Sequence, residues 1–295
     1  MNAYTIRDLE SLTGVKAHTI RIWEQRYHFL KPKRTETNIR YYSSEELKTV
    51  LDISLLNKYG FKISHIDRMP AAEVKEKILS LNDARAIQER MINELVQEMA
   101  DLDMNRFEKI LNDHIAAKGI EKTVIQVIFP FLERTGLLWE TGNINAAQEH
   151  LVTNIIRQKL IVAIETTVSH VKVDRTFLLF LPEGEHHELG LLFMYYLIKS
   201  RGARAIYLGA NVPVKDAAFV MKEKECDVAY IHLTSRGELC DMDRFISQVA
   251  ANFDQAQVVI SGHCTQHLRP QLPKGVHLKR SLPEVMEYLA AMGAV

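Results

Sequence analysis

From Tyr4 onward, apolar residues recur at helical spacing in short runs separated by tight connections. Thr5 is placed to cap a helix through about Leu12, and Gly14 supports a turn. Ala17 to Tyr27 then reads as a second helix with Ile20 and Trp23 facing inward, which is a helix-turn-helix pattern. Lys31-Pro32-Lys33-Arg34 breaks that helix, and Arg40-Tyr41-Tyr42 is β-prone, leaving Thr35 to Asn38 as the tip of a hairpin wing. Ser43 or Ser44 with Glu46 starts a further helix through Lys58. Residues 76–170 keep the helical period, with Ile87, Met91, Leu95 and Met99 on one stripe and Phe107, Ile110 and Leu111 on the next. That predicts a four-helix bundle. Asn82 or Asp83 and Asp103 can start its helices, and Gly119 can end one.

Past residue 171 the period changes to four strand-like runs, TFLLFL, ARAIYL, DVAYIHL and QVVIS, separated by lengths that suit crossover helices. This predicts a doubly wound parallel α/β sheet whose ligands would lie at the carboxyl ends of the strands. The expected division is therefore 1–75, 76–170 and 171–295, in a multidomain chain.

Composition changes this picture in two ways. The 295 residues, 47% hydrophobic and 25% charged, contain no run long enough to cross a bilayer, and charges occupy the N-terminus where a signal peptide would be apolar. A cytoplasmic protein without a membrane role is expected, with Cys226, Cys240 and Cys264 as reduced thiols. The zero net charge hides an asymmetry, since residues 1–42 hold eight Lys or Arg against four acids, a footprint suited to phosphate. Cys264, His263, Cys240 and His232 lack the compact spacing of a metal site.

The run YTIRDLESLTGVKAHTIRIWEQRYHFLKPKRT, followed by NIRYYSSEEL and LLNKYGFKISHI, resembles the MerR family of regulators over residues 4–70. The resemblance implies that His18, Thr19 and Arg21 approach base edges in the major groove, while Arg26, Tyr27, Arg34, Arg40 and Tyr41 hold phosphates. It also implies a homo-oligomer, dimer or tetramer, on a double-stranded operator with inverted repeats. The long dimerising helix usual in such regulators is not visible in the pattern, so association is expected from the later segments. Trp23 reads as core, and Tyr42 packs under the wing on the alternative to a contact role.

FLPEGEHHELGLLF resembles the cobalamin-binding pattern, with Glu185, His187 and Gly190 directly after a strand, and GARAIYLGANVPVKD continues it. This implies a flavodoxin-like cobalamin-binding fold in which His187 ligates cobalt axially, Glu185 orients its ring and Gly190 lets the backbone approach the corrin. Trp139, followed after nine residues by Glu149-His150, resembles the helical cap of the CarH and LitR light-sensing regulators, where the bundle lies over the upper face of adenosylcobalamin. His232 and Gly262 complete the implied cofactor contacts. Three positions depart from the pattern. His232-Leu233-Thr234 replaces Ser-x-Leu, where the serine meets the displaced nucleotide base. Gly262-His263 replaces Gly-Gly beside the nucleotide tail, and Glu140 stands where those photosensors have a histidine. The expectation is a repressor, not an enzyme, controlled by adenosylcobalamin and light through oligomerisation. The alternative is a regulator with a cofactor-independent C-terminal segment used for self-association or for an antagonist protein. A corrinoid enzyme is disfavoured because the chain has no room for a catalytic barrel.

Overall fold

The computed structural model describes residues 4–140, 145–234, 242–253, 255–265 and 272–291, and the chain divides into the units Met1–Ile155 and Ile156–Val295.

In the first unit, α1 (Ile6–Thr13) opens on a capping box in which Thr5 Oγ1 accepts from Asp8 N and the Asp8 carboxylate accepts from Thr5 N. Gly14, at φ 72, supplies the left-handed turn that ends it. Lys16 gives α2 (Ala17–Arg26) no side-chain cap, and Glu10 fills the need by accepting from Ala17 N at 2.9 Å. The wing is the antiparallel pair β1 (Lys33–Arg34) and β2 (Arg40–Tyr41), with Asn38 in the left-handed region at its tip. Tyr42, fully buried, exchanges backbone hydrogen bonds of 2.8 Å with Tyr4, so the wing is stitched at its base to the start of the chain. Ser43 and Glu46 box the start of α3 (Ser44–Lys58), which leads to α4 (Ile63–Ile66) and α5 (Ala71–Ser80).

The bundle begins with α6 (Ala84–Asp101), capped by Asp83, and α7 (Met104–Lys118), capped by Asp103. Its third rod is composite: α8 (Ile120–Thr123), a π-helical turn Val124–Ile128 and α9 (Phe129–Glu140). Pro130 accounts for the irregularity, because it has no N–H to offer the preceding turn. The carbonyl of Gln126 accepts from Gln88 Nε2 on α6 instead. The helix α10 (Ala146–Thr166) follows and crosses the boundary between the two units; near its start Gln148 Nε2 donates to Met99 O on α6. Ile87, expected on the buried stripe of α6, is exposed, while Ile92 and Val96 are buried. The helix packs against both α3 and α7, so its buried arc is not the single stripe that periodicity suggests. Also packed together are α1 and α9.

The second unit is a five-stranded parallel sheet. In chain order it comprises β3 (Thr176–Pro182), α11 (Leu189–Ser200), β4 (Arg204–Val212), α12 (Val214–Glu223), β5 (Val228–His232), α13 (Met242–Asn252), β6 (Gln257–Ser261), β7 (Val276–Lys279) and α14 (Leu282–Ala291). The strand order is β4-β3-β5-β6-β7, so the winding reverses between β3 and β5. The strand β7 was not among the four expected; its sequence VHLK is short, half polar and buried only at alternate positions. Every residue of β3 is buried, as a strand covered on both faces requires.

Candidate functional site

At the carboxyl end of β3, one buried carboxylate organises the switch point. Glu185 is 1% exposed; its Oε1 accepts from His187 N at 3.0 Å and lies 2.7 Å from His187 Nδ1. Its Oε2 accepts from Thr234 N, just past β5, at 2.9 Å. A buried charge is tolerated only when hydrogen-bonded, and here both oxygens are used, joining the loop after β3 to the chain after β5. The same loop is held from β4 by Asn211, whose Oδ1 accepts from Gly184 N and whose N donates to Glu185 O. Asn211 was not anticipated. Its signal was an asparagine in the GANVP turn, where it adopts φ 58. The side chain of His187 is 62% exposed, so the acid lies inside and the imidazole faces outward.

Gly190, at the buried start of α11, faces His232: a Cβ at position 190 would stand 2.2 Å from His232 Nε2 and 2.5 Å from Cδ2. Behind the ring, Nδ1 lies 2.9 Å from Ser261 Oγ, which lies 2.7 Å from the hydroxyl of the fully buried Tyr230. Burial pushes the His232 imidazole down to about 4, against the opposing pull of Glu185, so it is neutral at physiological pH. Gly262, at φ 107, leaves the space that the Leu233 carbonyl takes; a Cβ there would be 2.2 Å from that oxygen. The space left by each glycine is thus used by the chain's own atoms. His263 is exposed beside it.

On the winged unit, His18 and Arg21 are exposed along α2 and Thr19 is half-buried. Arg26 is exposed at the end of that helix, Tyr27 stacks on Phe29 at 5.7 Å, and Trp23 is core. On the wing, Arg34 donates to Asn38 Oδ1, Lys33 is exposed and Tyr41 is half-buried. Arg40 Nε donates to both oxygens of Glu24 at 3.1 and 2.9 Å, so this cation also clamps the wing onto α2. Ile39, 59% exposed near the wing tip, is a surface feature that the hydrophobic pattern did not single out.

Of the implied upper-face residues, Glu149 and His150 occupy the start of α10, with His150 Nδ1 3.6 Å from Glu149 Oε2 and the imidazole 70% exposed. Trp139 and Glu140 end α9, and their side chains lie outside the described residues, as do Gly142 and Cys240. Cys226 and Cys264 are buried. Among the described residues no cluster of three or more potential metal ligands occurs, and no helix is long and apolar enough to cross a membrane.

Residues 4–73 match the model of the MerR HTH family regulatory proteins, and residues 91–163, in the helical segment, match that of a B12 binding domain. The HTH-type transcriptional repressor CarH of Myxococcus xanthus is 30% identical over 220 residues, covering 72% of this chain and 73% of the relative. The repressor CarA of the same organism is 30% identical over 211 residues, covering 70% and 68%. The monomethylamine corrinoid protein of Methanosarcina barkeri superposes with a TM-score of 0.50 at 11% identity, over 69% of this chain and 99% of that one, which is a likeness of fold.

Proposed function

Because the chain belongs to the family of MerR-type HTH transcriptional repressors that includes CarH and CarA, we propose that its repression is governed by adenosylcobalamin and light through cofactor-dependent oligomerisation. The protein is a transcriptional regulator and not an enzyme. The finer reading rests on one observation: a buried carboxylate, Glu185, holding the Nδ1 edge of an outward-facing imidazole, His187, at the switch point of a doubly wound sheet. With Nδ1 engaged by an acid, Nε2 is the nitrogen a metal would take, and the carboxylate raises its basicity. These two residues fit the lower face of a corrinoid; Glu149, His150 and Trp139 are assigned to its upper face by kinship alone. When bound, adenosylcobalamin supplies a cobalt centre and a carbon–cobalt bond that light can break.

The residues assigned to DNA divide by chemistry. His18, Thr19 and Arg21 read bases, while Arg26, Tyr27, Arg34, Arg40 and Tyr41 set register on phosphates of an operator with inverted repeats in the cytoplasm. The functional segments are 1–75, 76–170 and 171–295.

The test is to mix the purified protein with adenosylcobalamin in the dark, pass it through a sizing column, and record absorbance and elution volume before and after green light. Coelution of cofactor with a larger species, which shrinks on illumination, is the expected result, and His187→Ala should lose the cobalt–imidazole spectrum. Protein that retains no cofactor, or retains it with no change of size, would overturn the reading. A second reading is favoured by the His232 ring filling the crevice at Gly190. In it the C-terminal unit serves self-association or an antagonist protein without a cofactor. Operator affinity identical with and without adenosylcobalamin, in dark and light, would select it.

A further inference from the structure

An open doubly wound sheet takes its ligand in the crevice at the strand-order reversal. Here that crevice lies between the loop after β3 and the end of β5. Its floor is occupied by the chain itself, because the His232 ring lies where a side chain on residue 190 would be, with Nε2 2.2 Å from that position. The ring is anchored from behind by Ser261 and, through it, by Tyr230. A corrinoid has one lower axial position. If His187 takes it, the base on the nucleotide tail of a complete cobalamin leaves the metal and must find room on the same face, beside His187. The crevice next to Gly190 is the space the fold offers there.

We propose that His232 is a specificity-determining plug that closes this crevice to a nucleotide base, so that the α/β unit favours corrinoids without a bulky lower base over complete cobalamin. The inference rests on the corrinoid reading above and deepens it by naming the class of ligand. A complete cobalamin binds only after the ring is displaced from Gly190 and its bond to Ser261 is given up. A corrinoid lacking the base leaves the ring in place.

The experiment is a pair of dark equilibrium titrations, with adenosylcobinamide and with adenosylcobalamin, on the full-length wild type, His232→Ser and Ser261→Ala, read by bound absorbance spectrum and dissociation constant. The wild-type ratio alone also contains the cost of removing cobalamin's own base from cobalt, so the change of that ratio on substitution is the measure. His232→Ser should tighten adenosylcobalamin about tenfold while moving adenosylcobinamide by less than about twofold. Ser261→Ala, which releases the ring without removing it, should narrow the ratio part of the way, and it keeps the test alive if His232→Ser folds poorly. An unchanged ratio in both variants, with both corrinoids bound and the His187-dependent spectrum intact, would overturn the plug and leave the corrinoid reading standing. Failure of the wild type and both variants to bind either corrinoid would overturn the two together.

Discussion

His232 is held neutral by burial, with its imidazole pushed to about 4, and this makes stability depend on pH with a definite sign. In the unfolded chain the ring takes its proton near 6.5. Between about 6.5 and 4 the unfolded state therefore binds more protons, and the folded state loses stability as pH falls through that window. Urea melts at pH 7 and pH 4.5 should show the wild type losing about 2 kcal/mol more than His232→Ser over that interval. Equal losses would mean that the ring is solvated. The two glycines of the switch point make a second, paired prediction. A Cβ at Gly262 meets the Leu233 backbone at a φ that side chains rarely adopt, whereas a Cβ at Gly190 meets the movable His232 ring. Gly262→Ala should cost about 2–4 kcal/mol. Gly190→Ala should cost less, about 1–2 kcal/mol, because a side chain can swing aside where a strand-end carbonyl cannot. Reversed costs in thermal melts would contradict the packing. Glu185, His187, Gly190, His232 and Gly262 could all be picked from the sequence by type and spacing. What could not be read was which atoms fill the space beside each glycine, since a missing side chain records small size and not the identity of the neighbour.

Elements whose ends carry their own chemistry were legible. Thr5, Ser43, Asp83 and Asp103 each bond the first turn of a helix, and Gly14 ends one. Elements defined by tertiary demand were not: β7 is four residues of mixed polarity, and the π-helical turn follows from Pro130 together with a glutamine 42 residues earlier, Gln88, which no local pattern connects. The wing lies between these cases. Its hairpin was evident, but the clamp from Arg40 on β2 to Glu24 on α2 needed the fold. Their side chains are 27% and 16% exposed, so the pair is worth about 1 kcal/mol, the upper end for surface ion pairs. Glu24→Gln sets two effects against each other. Removing an acid near phosphate should strengthen operator binding by simple Coulomb attraction, while loosening the wing should weaken it. Because the ion pair is partly desolvated, the clamp is expected to win, with operator affinity falling about three- to tenfold and the slope against salt unchanged. Tighter binding by the variant would show that the wing keeps its place without the clamp.

At the scale of the molecule, the order of winged helix-turn-helix, bundle and α/β sheet was readable from changes of hydrophobic period. Periodicity marks a buried face without naming its partner, so the sequence did not reveal that the DNA-binding helices and α6, α7 and α9 share one compact unit. Within that unit α1 packs on α9 and α3 on α6. Asn93, 9% exposed on α6, joins three of these helices: its Nδ2 donates to Leu51 O on α3, and its Oδ1 accepts from Arg134 on α9. The helix α9 ends at Glu140, directly after Trp139, which the function proposed above places at the upper face of the cofactor. Any ligand that orders this end of α9 therefore acts on an element in direct contact with α1 and, through Asn93, tied to α3. A hundredfold gain in operator affinity on cofactor binding corresponds to a coupling of about 2.7 kcal/mol, which must be carried by groups whose contacts differ between the two assembly states. A buried three-way polar junction is suited to this, because it is satisfied in one arrangement of the helices and broken in others. Asn93→Ala should leave cofactor retention and the His187-dependent spectrum intact, and basal operator affinity within about threefold. The dark, cofactor-dependent gain should shrink at least about fivefold. Measuring operator affinity by anisotropy at a single salt concentration, with and without adenosylcobalamin, separates the outcomes. A proportionate loss of basal affinity would mean that Asn93 only supports the fold, whereas loss of the gain alone would locate the coupling in the α3–α6–α9 junction.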